Sequence, residues 1–289
     1  MENPIILDGR KVAQDVKDRL KPRVEYLKKK GIHPCLATIL VGNNPSSATY
    51  VRMKGNACER LGIRSKRIHL PEETSTEELL HVIHELNEDH SVHGILLQHP
   101  VPAHIDERAA FEAIHIDKDV DGVTSIGFGQ TAFQFGRYPS CTPAAIIQIL
   151  DYYQLPIEGK YAVVVGRSPI LGKPVSMMLL NRNATVTTCH SKTKNLPEIV
   201  RQADMVVAAV GKPNFIKGEW IKDGAVVLDA GYNEGNIGDA DYETCRPRSS
   251  AITPVPGGVG PVTISMLLKH TVDAAEAKLA GQTRHVSNA

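Results

Sequence analysis

The chain has 289 residues, 42% hydrophobic and 22% charged, a balance that suits a folded protein with a buried core and excludes a disordered one. Its 33 lysines and arginines against 32 aspartates and glutamates leave a net charge of +1, too little basic excess to track a nucleic-acid backbone, so no nucleic-acid partner is expected. At roughly 100 to 200 residues per domain the length points to two domains, and the continuous apolar runs fall far short of the ~18 residues of a membrane span. Residues 1–10 show no secretory or transit pattern, which makes the cytoplasm the expected compartment. The five cysteines are scattered without a C-x-x-C pair, and an odd number fits reduced thiols better than a disulfide framework or a zinc site. Among the twelve histidines, His81/His84 and His90/His93 are closely spaced. The first pair lies opposite a helix face formed by Leu79, Leu80, Ile83 and Leu86, and no cysteine or carboxylate cluster joins it, so no metal is expected.

In chain order, residues 10–30 carry Val12, Val16, Leu20, Val24 and Leu27 at helical period and end in three lysines and Gly31, a C-cap pattern. Residues 36–41 then read as a strand, 47–61 as a helix, 65–69 as a strand, 75–89 as a helix capped by Ser75, and 93–97 as a strand. This alternation predicts a mostly parallel sheet. Residues 117–143 are rich in Gly, Asp and Thr and read as an irregular functional loop or domain junction. A helix at 143–153 leads into a second series: strand 161–165, helix 173–181, strand 185–188, helix 196–202, and strands 205–209 and 225–229. That series is a doubly wound, Rossmann-like nucleotide-binding pattern. A last helix is predicted over 263–280, returning to the first domain. No internal repeat or low-complexity segment is visible.

The strand at 161–165 ends in Gly166, and Gly172 opens the following helix with Pro174 in its first turn, so a pyrophosphate fits on the helix N–H groups. Ser168 stands where the middle glycine of G-x-G-x-x-G would be, which leaves an ordinary strand-turn-helix as the alternative. The next strand ends Cys189-His-Ser-Lys192, without the acidic residue that an NAD-preferring site offers its ribose. With Arg167, His190, Ser191 and Lys192 as donors, a ribose 2'-phosphate is favoured over a free diol, and NADP over NAD, an ordinary polar turn being the alternative.

In the first domain Tyr50, Lys54, Ala57 and Leu61 share one helix face. A lysine there either snorkels to solvent or points into a cleft, where desolvation lowers its pKa and suits it to proton exchange. Gln98 follows the strand 94–97, where an open parallel sheet places ligand-contacting groups. Asp117, Asp119 and Asp121 alternate like the start of a calcium loop, but Phe128 occupies the twelfth position, where that loop needs a carboxylate.

Seven segments in order then resemble the bifunctional methylenetetrahydrofolate dehydrogenase/methenyltetrahydrofolate cyclohydrolase family. They are Tyr50-Val-Arg-Met-Lys54, Gly94-Ile-Leu-Leu-Gln-His-Pro-Val-Pro102, Asp117-Lys-Asp-Val-Asp-Gly122, Cys141-Thr-Pro143, Gly166-Arg-Ser-Pro-Ile-Leu-Gly-Lys-Pro174, Cys189-His-Ser-Lys-Thr193 and Pro254-Val-Pro-Gly-Gly-Val-Gly-Pro261. The resemblance covers nearly the whole chain. It implies NADP-linked oxidation of 5,10-methylenetetrahydrofolate and hydrolysis of the methenyl product to 10-formyltetrahydrofolate in one cleft, by a homodimer. The expected architecture is an α/β folate-binding catalytic domain, 1–140 with 265–289, and a Rossmann-like NADP domain, 141–264.

By that resemblance Lys54 is the active-site lysine, Tyr50 the tyrosine along the folate, Gln98 the partner glutamine and Asp121 the pterin-binding aspartate. Pro256, Gly257, Gly258, Val259 and Gly260 form the folate-contacting loop. Gly166, Arg167 and Ser168 form the phosphate loop, Ser191 meets the 2'-phosphate and Tyr232 lies against the nicotinamide half. This chain departs from the family's pattern at Asn56, where a second lysine is common, at Tyr232, where a small aliphatic residue is usual, and at Ala144-Ala145. Two rivals follow from the residues: another two-domain dehydrogenase acting on an amino or hydroxy acid, and a non-catalytic dinucleotide-binding regulator.

Overall fold

The computed structural model describes residues 3–287, with side chains through residue 280. In chain order it contains β1 (Ile5–Ile6), α1 (Gly9–Lys29), β2 (Cys35–Val41), α2 (Pro45–Leu61), β3 (Arg64–Leu70), α3 (Thr76–Glu88), β4 (Gly94–Leu97), α4 (Glu107–Glu112), α5 (Ser125–Ala132) and α6 (Cys141–Tyr152). There follow β5 (Tyr161–Val165), α7 (Gly172–Leu180), β6 (Thr185–Cys189), α8 (Leu196–Val200), β7 (Met205–Ala208), β8 (Ala225–Asp229), α9 (Tyr242–Cys245), β9 (Ser249–Ile252) and α10 (Val259–Ser287). The described residues divide into two compact units, one of residues 15–129, 136–138 and 267–287, the other of residues 3–14, 130–135 and 139–266.

The first of these has a three-stranded parallel sheet in the order β3-β2-β4. Every residue of β2 is buried, as a central strand covered on both faces requires, whereas the edge strand β3 (Arg64-Ser-Lys-Arg-Ile-His-Leu70) exposes its charges. The chain leaves β2 through α2 to one edge and returns through α3 to the other, so right-handed crossovers set the two helices on opposite faces. The reversal also creates a switch point where β2 and β4 end side by side. Local chemistry fixes both helices. Asn44 accepts the N–H of Ser47 and Gly62 closes α2 in the left-handed region, while Ser75 and Glu78 form a capping box on α3.

The buried stripe of α2 is Ser47, Val51, Gly55, Cys58 and Leu61. The expected face through Tyr50, Lys54, Ala57 and Leu61 is therefore its shoulder: only Leu61 is buried and the other three are half-buried. Two members of the true stripe, Ser47 and Gly55, are not apolar, which hides it from a hydrophobic count. On α3, Leu79, Ile83 and Leu86 are buried, Leu80 is only half-buried, and exposed His81 lies 3.3 Å from Glu85.

The other unit holds a six-stranded sheet, ordered β1-β9-β8-β7-β5-β6 and parallel throughout. Here too the chain moves one way from β5 to β6 and then reverses, so β5 and β7 flank a second switch point, and α7 lies on the face opposite α8 and α9. Val163, Val165, Val206, Ala208, Ala225 and Val227 line one face and pack with Val200, Ile216, Ile221 and Cys245.

Three expectations are corrected. The stretch 117–143 is not irregular throughout, because it holds α5 and the first turn of α6; α5 is started by Thr124, whose Oγ1 accepts the N–H of Gly127. The last helix begins at Val259 rather than 263, so Val259 and Gly260 form its first turn. Strands β1 and β9, two and four residues long, lack the apolar run or alternation by which the others were recognised. Among the described residues no helix is long and apolar enough to cross a membrane, and no group of three or more His, Cys, Asp or Glu is placed to hold a metal ion.

Candidate active site

Gln98 extends β4 by one residue, its backbone N–H donating to Ile39 O at 2.9 Å, and its side chain is buried at the first switch point. The amide Nε2 donates to the carbonyl of His99 at 2.8 Å, which turns Oε1 the other way to accept Lys54 Nζ at 3.0 Å. The half-buried Lys54 thus aims its ammonium at a buried amide, not out into water. Tyr50 lies one turn earlier on the same shoulder of α2, also half-buried.

Asp121 is half-buried on a segment anchored on three sides. Asp119, 1% exposed, accepts the N–H groups of Val123 and Thr124 at 3.0 and 2.9 Å, and burial raises its carboxyl pKa against those bonds. Lys118 Nζ donates to the carbonyls of Leu86, Asn87 and Asp89, closing the end of α3. His270 of α10 holds the carbonyl of Val120 with its Nδ1–H at 2.9 Å, and burial lowers its pKa to about 4. Sequence reasoning missed these anchors. One signal was there: a Val inside the aspartate alternation marks an inward turn.

At the second switch point Gly166 has φ 138°, and a Cβ there would lie 2.0 Å from Ala209 O. A Cβ on Gly172 would lie 2.3 Å from Gly166 O, so both glycines are needed to fold the 166–172 turn against its neighbours. Ser168 Oγ accepts the Gly172 N–H at 3.3 Å and its carbonyl accepts that of Lys173 at 3.1 Å, while Arg167 is exposed. After β6, the turn 190–193 is closed by His190 and Thr193 and leaves Ser191 and Lys192 exposed. A tight glycine cradle at a helix start, with hydroxyl and cationic donors and no carboxylate in the adjacent turn, fits a dinucleotide bearing an extra phosphate.

Tyr232 follows β8, is exposed, and donates its hydroxyl hydrogen to Asn236 Oδ1. In the glycine loop, Gly257 has φ 103° and its carbonyl accepts the Gly9 N–H at 2.8 Å. A Cβ on Gly9 would lie 1.7 Å from Gly258 O, so this approach excludes any side chain there. Pro256, Gly257 and Gly258 make the turn that Val259 and Gly260 continue as helix. The structure thus joins Lys54 to Gln98, sets Tyr50 beside Lys54, and distributes the residues expected to meet a dinucleotide over the carboxyl ends of β5, β6 and β8.

The tetrahydrofolate dehydrogenase/cyclohydrolase catalytic-domain model matches residues 7–121, and the NAD(P)-binding-domain model of the same family matches residues 140–279. The bifunctional protein FolD of Shouchella clausii is 74% identical over 276 residues, covering 96% of this chain and 99% of that protein. Among solved structures, the bifunctional methylenetetrahydrofolate dehydrogenase/cyclohydrolase of Campylobacter jejuni is 46% identical, with a TM-score of 0.92 over 94% of this chain and 99% of its own. The Trypanosoma brucei enzyme, complexed with NADP and an inhibitor, is 38% identical, with a TM-score of 0.93 over 96% of this chain and 99% of its own. The chain belongs to the tetrahydrofolate dehydrogenase/cyclohydrolase family.

Proposed function

We propose that this protein oxidises 5,10-methylenetetrahydrofolate with NADP and hydrolyses the resulting methenyl cation to 10-formyltetrahydrofolate. The observation that carries the reading is the hydrogen bond from Lys54 to the buried Gln98. Bound NADP supplies the hydride-accepting ring. Loss of hydride from the methylene carbon requires mainly that the substrate be held in place, the work of Tyr50, Asp121 and the loop 256–260. Hydrolysis requires a proton carrier, since water adds to the methenyl carbon, loses a proton, and the C–N bond that opens must take one up. Lys54 moves that proton at Nζ, and Gln98 Oε1 fixes where Nζ stands. Gly166, Arg167, Ser168, Ser191 and Tyr232 hold the cofactor, a reading supported by the NADP complex of the Trypanosoma brucei relative.

One spectrophotometric assay with methylenetetrahydrofolate and NADP tests this, following NADPH and the methenyl intermediate separately. Both are expected to form, with methenyl decay faster than without enzyme. NADPH formation with uncatalysed methenyl decay would leave a dehydrogenase alone, and equal dissociation constants for NADP and NAD would refute the cofactor preference. Asp121→Asn should weaken folate binding by roughly 1.5 to 3 kcal/mol, about ten- to a hundred-fold, because a charged hydrogen bond to the amino-pterin edge is lost. An unchanged folate dissociation constant in a direct titration would reject that role.

The family's homodimer is also proposed for this chain. In its support, the segment 126–135 exposes Ile126, Phe133 and Phe135, the last two 79% and 66% exposed with rings 6.5 Å apart. Sedimentation should show a dimer that Phe133→Ser with Phe135→Ser drives toward monomer; a wild-type monomer would overturn it. The cytoplasm remains the proposed compartment, and five buried, unbridged cysteines suit it.

A further inference from the structure

Two buried aspartates form a clasp behind the carboxyl ends of β7 and β8. Asp239 is fully buried, and its carboxylate takes four hydrogen bonds: Oδ2 accepts the N–H groups of Val210 and Gly211 at 2.6 and 2.8 Å, and Oδ1 accepts Lys212 N–H and Asn233 Nδ2, both at 3.0 Å. Three successive backbone N–H groups, with Gly211 at φ 65°, make the concave nest that elsewhere captures a free anion. Here the chain fills the nest itself. Asp229 does the reciprocal work at the base of the loop, accepting the N–H groups of Gly231, Asp239 and Ala240 at 2.8, 3.0 and 2.8 Å. Each carboxylate is seated against a glycine: a Cβ on Gly231 would lie 2.2 Å from the Asp239 carboxylate, and one on Gly238 2.0 Å from that of Asp229. The clasp therefore ties the segment after β7, which borders the second switch point, to the loop that carries Tyr232.

We propose that Asp239 is a positioning residue for the dinucleotide: by filling the 210–212 nest and gripping Asn233 it fixes the two loops on which the nicotinamide half rests. This rests on the cofactor reading above. Asp239 is fully buried, so its work passes through Val210–Lys212 and Asn233. Asp239→Asn keeps the shape but offers one oxygen and one donor to four donors, so two N–H groups lose their acceptor and the loops loosen.

The test pairs NADP titration with both activities in the full-length protein. In Asp239→Asn the NADP dissociation constant and dehydrogenase KM for NADP should rise ten- to a hundred-fold. Cyclohydrolase turnover of methenyltetrahydrofolate, which needs no cofactor, should stay within twofold of wild type, whereas a merely structural residue would lower both activities together. Unchanged NADP affinity in a variant that retains cyclohydrolase activity overturns the proposal. If Asp239→Asn does not fold, the milder Asn233→Ala, which removes one of the four donors from a half-buried position, decides it: a two- to tenfold loss of NADP affinity alone supports the assignment and no loss overturns it. A wild-type protein that does not bind NADP would instead remove the cofactor reading, and this assignment with it.

Discussion

Lys54→Met should slow methenyltetrahydrofolate hydrolysis by a factor of about 10² to 10⁴, the scale of a lost acid–base group, while folate binding stays measurable. Methionine keeps the length of the side chain on the shoulder of α2 but has nothing to donate to Gln98 Oε1, which accepts Lys54 Nζ at 3.0 Å in the native site. The carbonyl of His99 still fixes the amide, so the site keeps its shape and loses its proton carrier. Rates of methenyl decay measured with and without the variant check this. Unimpaired hydrolysis would take Lys54 out of the mechanism.

Between about pH 6.5 and 4 two buried imidazoles should each cost the folded state stability as the pH falls. Burial lowers the pKa of both His93 and His270 to about 4 from an ordinary 6.5. Lys278 and Lys118 reinforce the shift at His93, with Asp89 opposing it; at His270 the hydrogen bond to Val120 opposes it. Above pH 6.5 both rings are neutral whether the chain is folded or not, and their contribution is constant. As the pH falls, the unfolded chain takes up protons that the folded one refuses, so stability is lost until the folded rings titrate. At 1.36 kcal/mol per pH unit the window amounts to about 3 kcal/mol per ring. Asp119 and Asp229 run the other way: burial raises both carboxyls, Asp229 to about 6, so each favours the folded state as the pH drops and offsets the rings. Denaturant unfolding at pH 7.5 and 5 should therefore be compared for wild type, His270→Asn, which keeps a donor for Val120, and His93→Leu. Each variant should lose less stability than wild type between the two pH values, and an unaltered difference would acquit the ring concerned.

The sequence made the periodic elements legible. The stripe of α1, the Ser75 capping box and the apolar strand ending at Gly166 each express their structure within a short window. The site was readable in pieces: spacing put Lys54 on a helix face but left it free to snorkel, and only the topology, by setting Gln98 just past the end of β4, gives its ammonium a buried acceptor. What escaped is what depends on distant partners. His270 supports Val120 from 150 residues away, and Asp239 supports 210–212 across an intervening strand, so no local pattern announces either. Helix α5, with its two glycines, has little propensity of its own and forms where Thr124 and the Asp119 turn start it.

The pairing of β1 with β9 has a consequence for how the chain is made. Ile5 and Ile6 are parallel neighbours of Ala251 and Ile252, and Gly9 closes on Gly257 and Gly258, all nearly 250 residues later. On a ribosome adding about 5 to 20 residues per second, residues 5–9 wait roughly 12 to 50 seconds for their partners. The glycine turn gains its support only when residues 5–9 meet residues 251–258, so it is a late product of synthesis, held by contacts that form only after nearly all the intervening chain has been made.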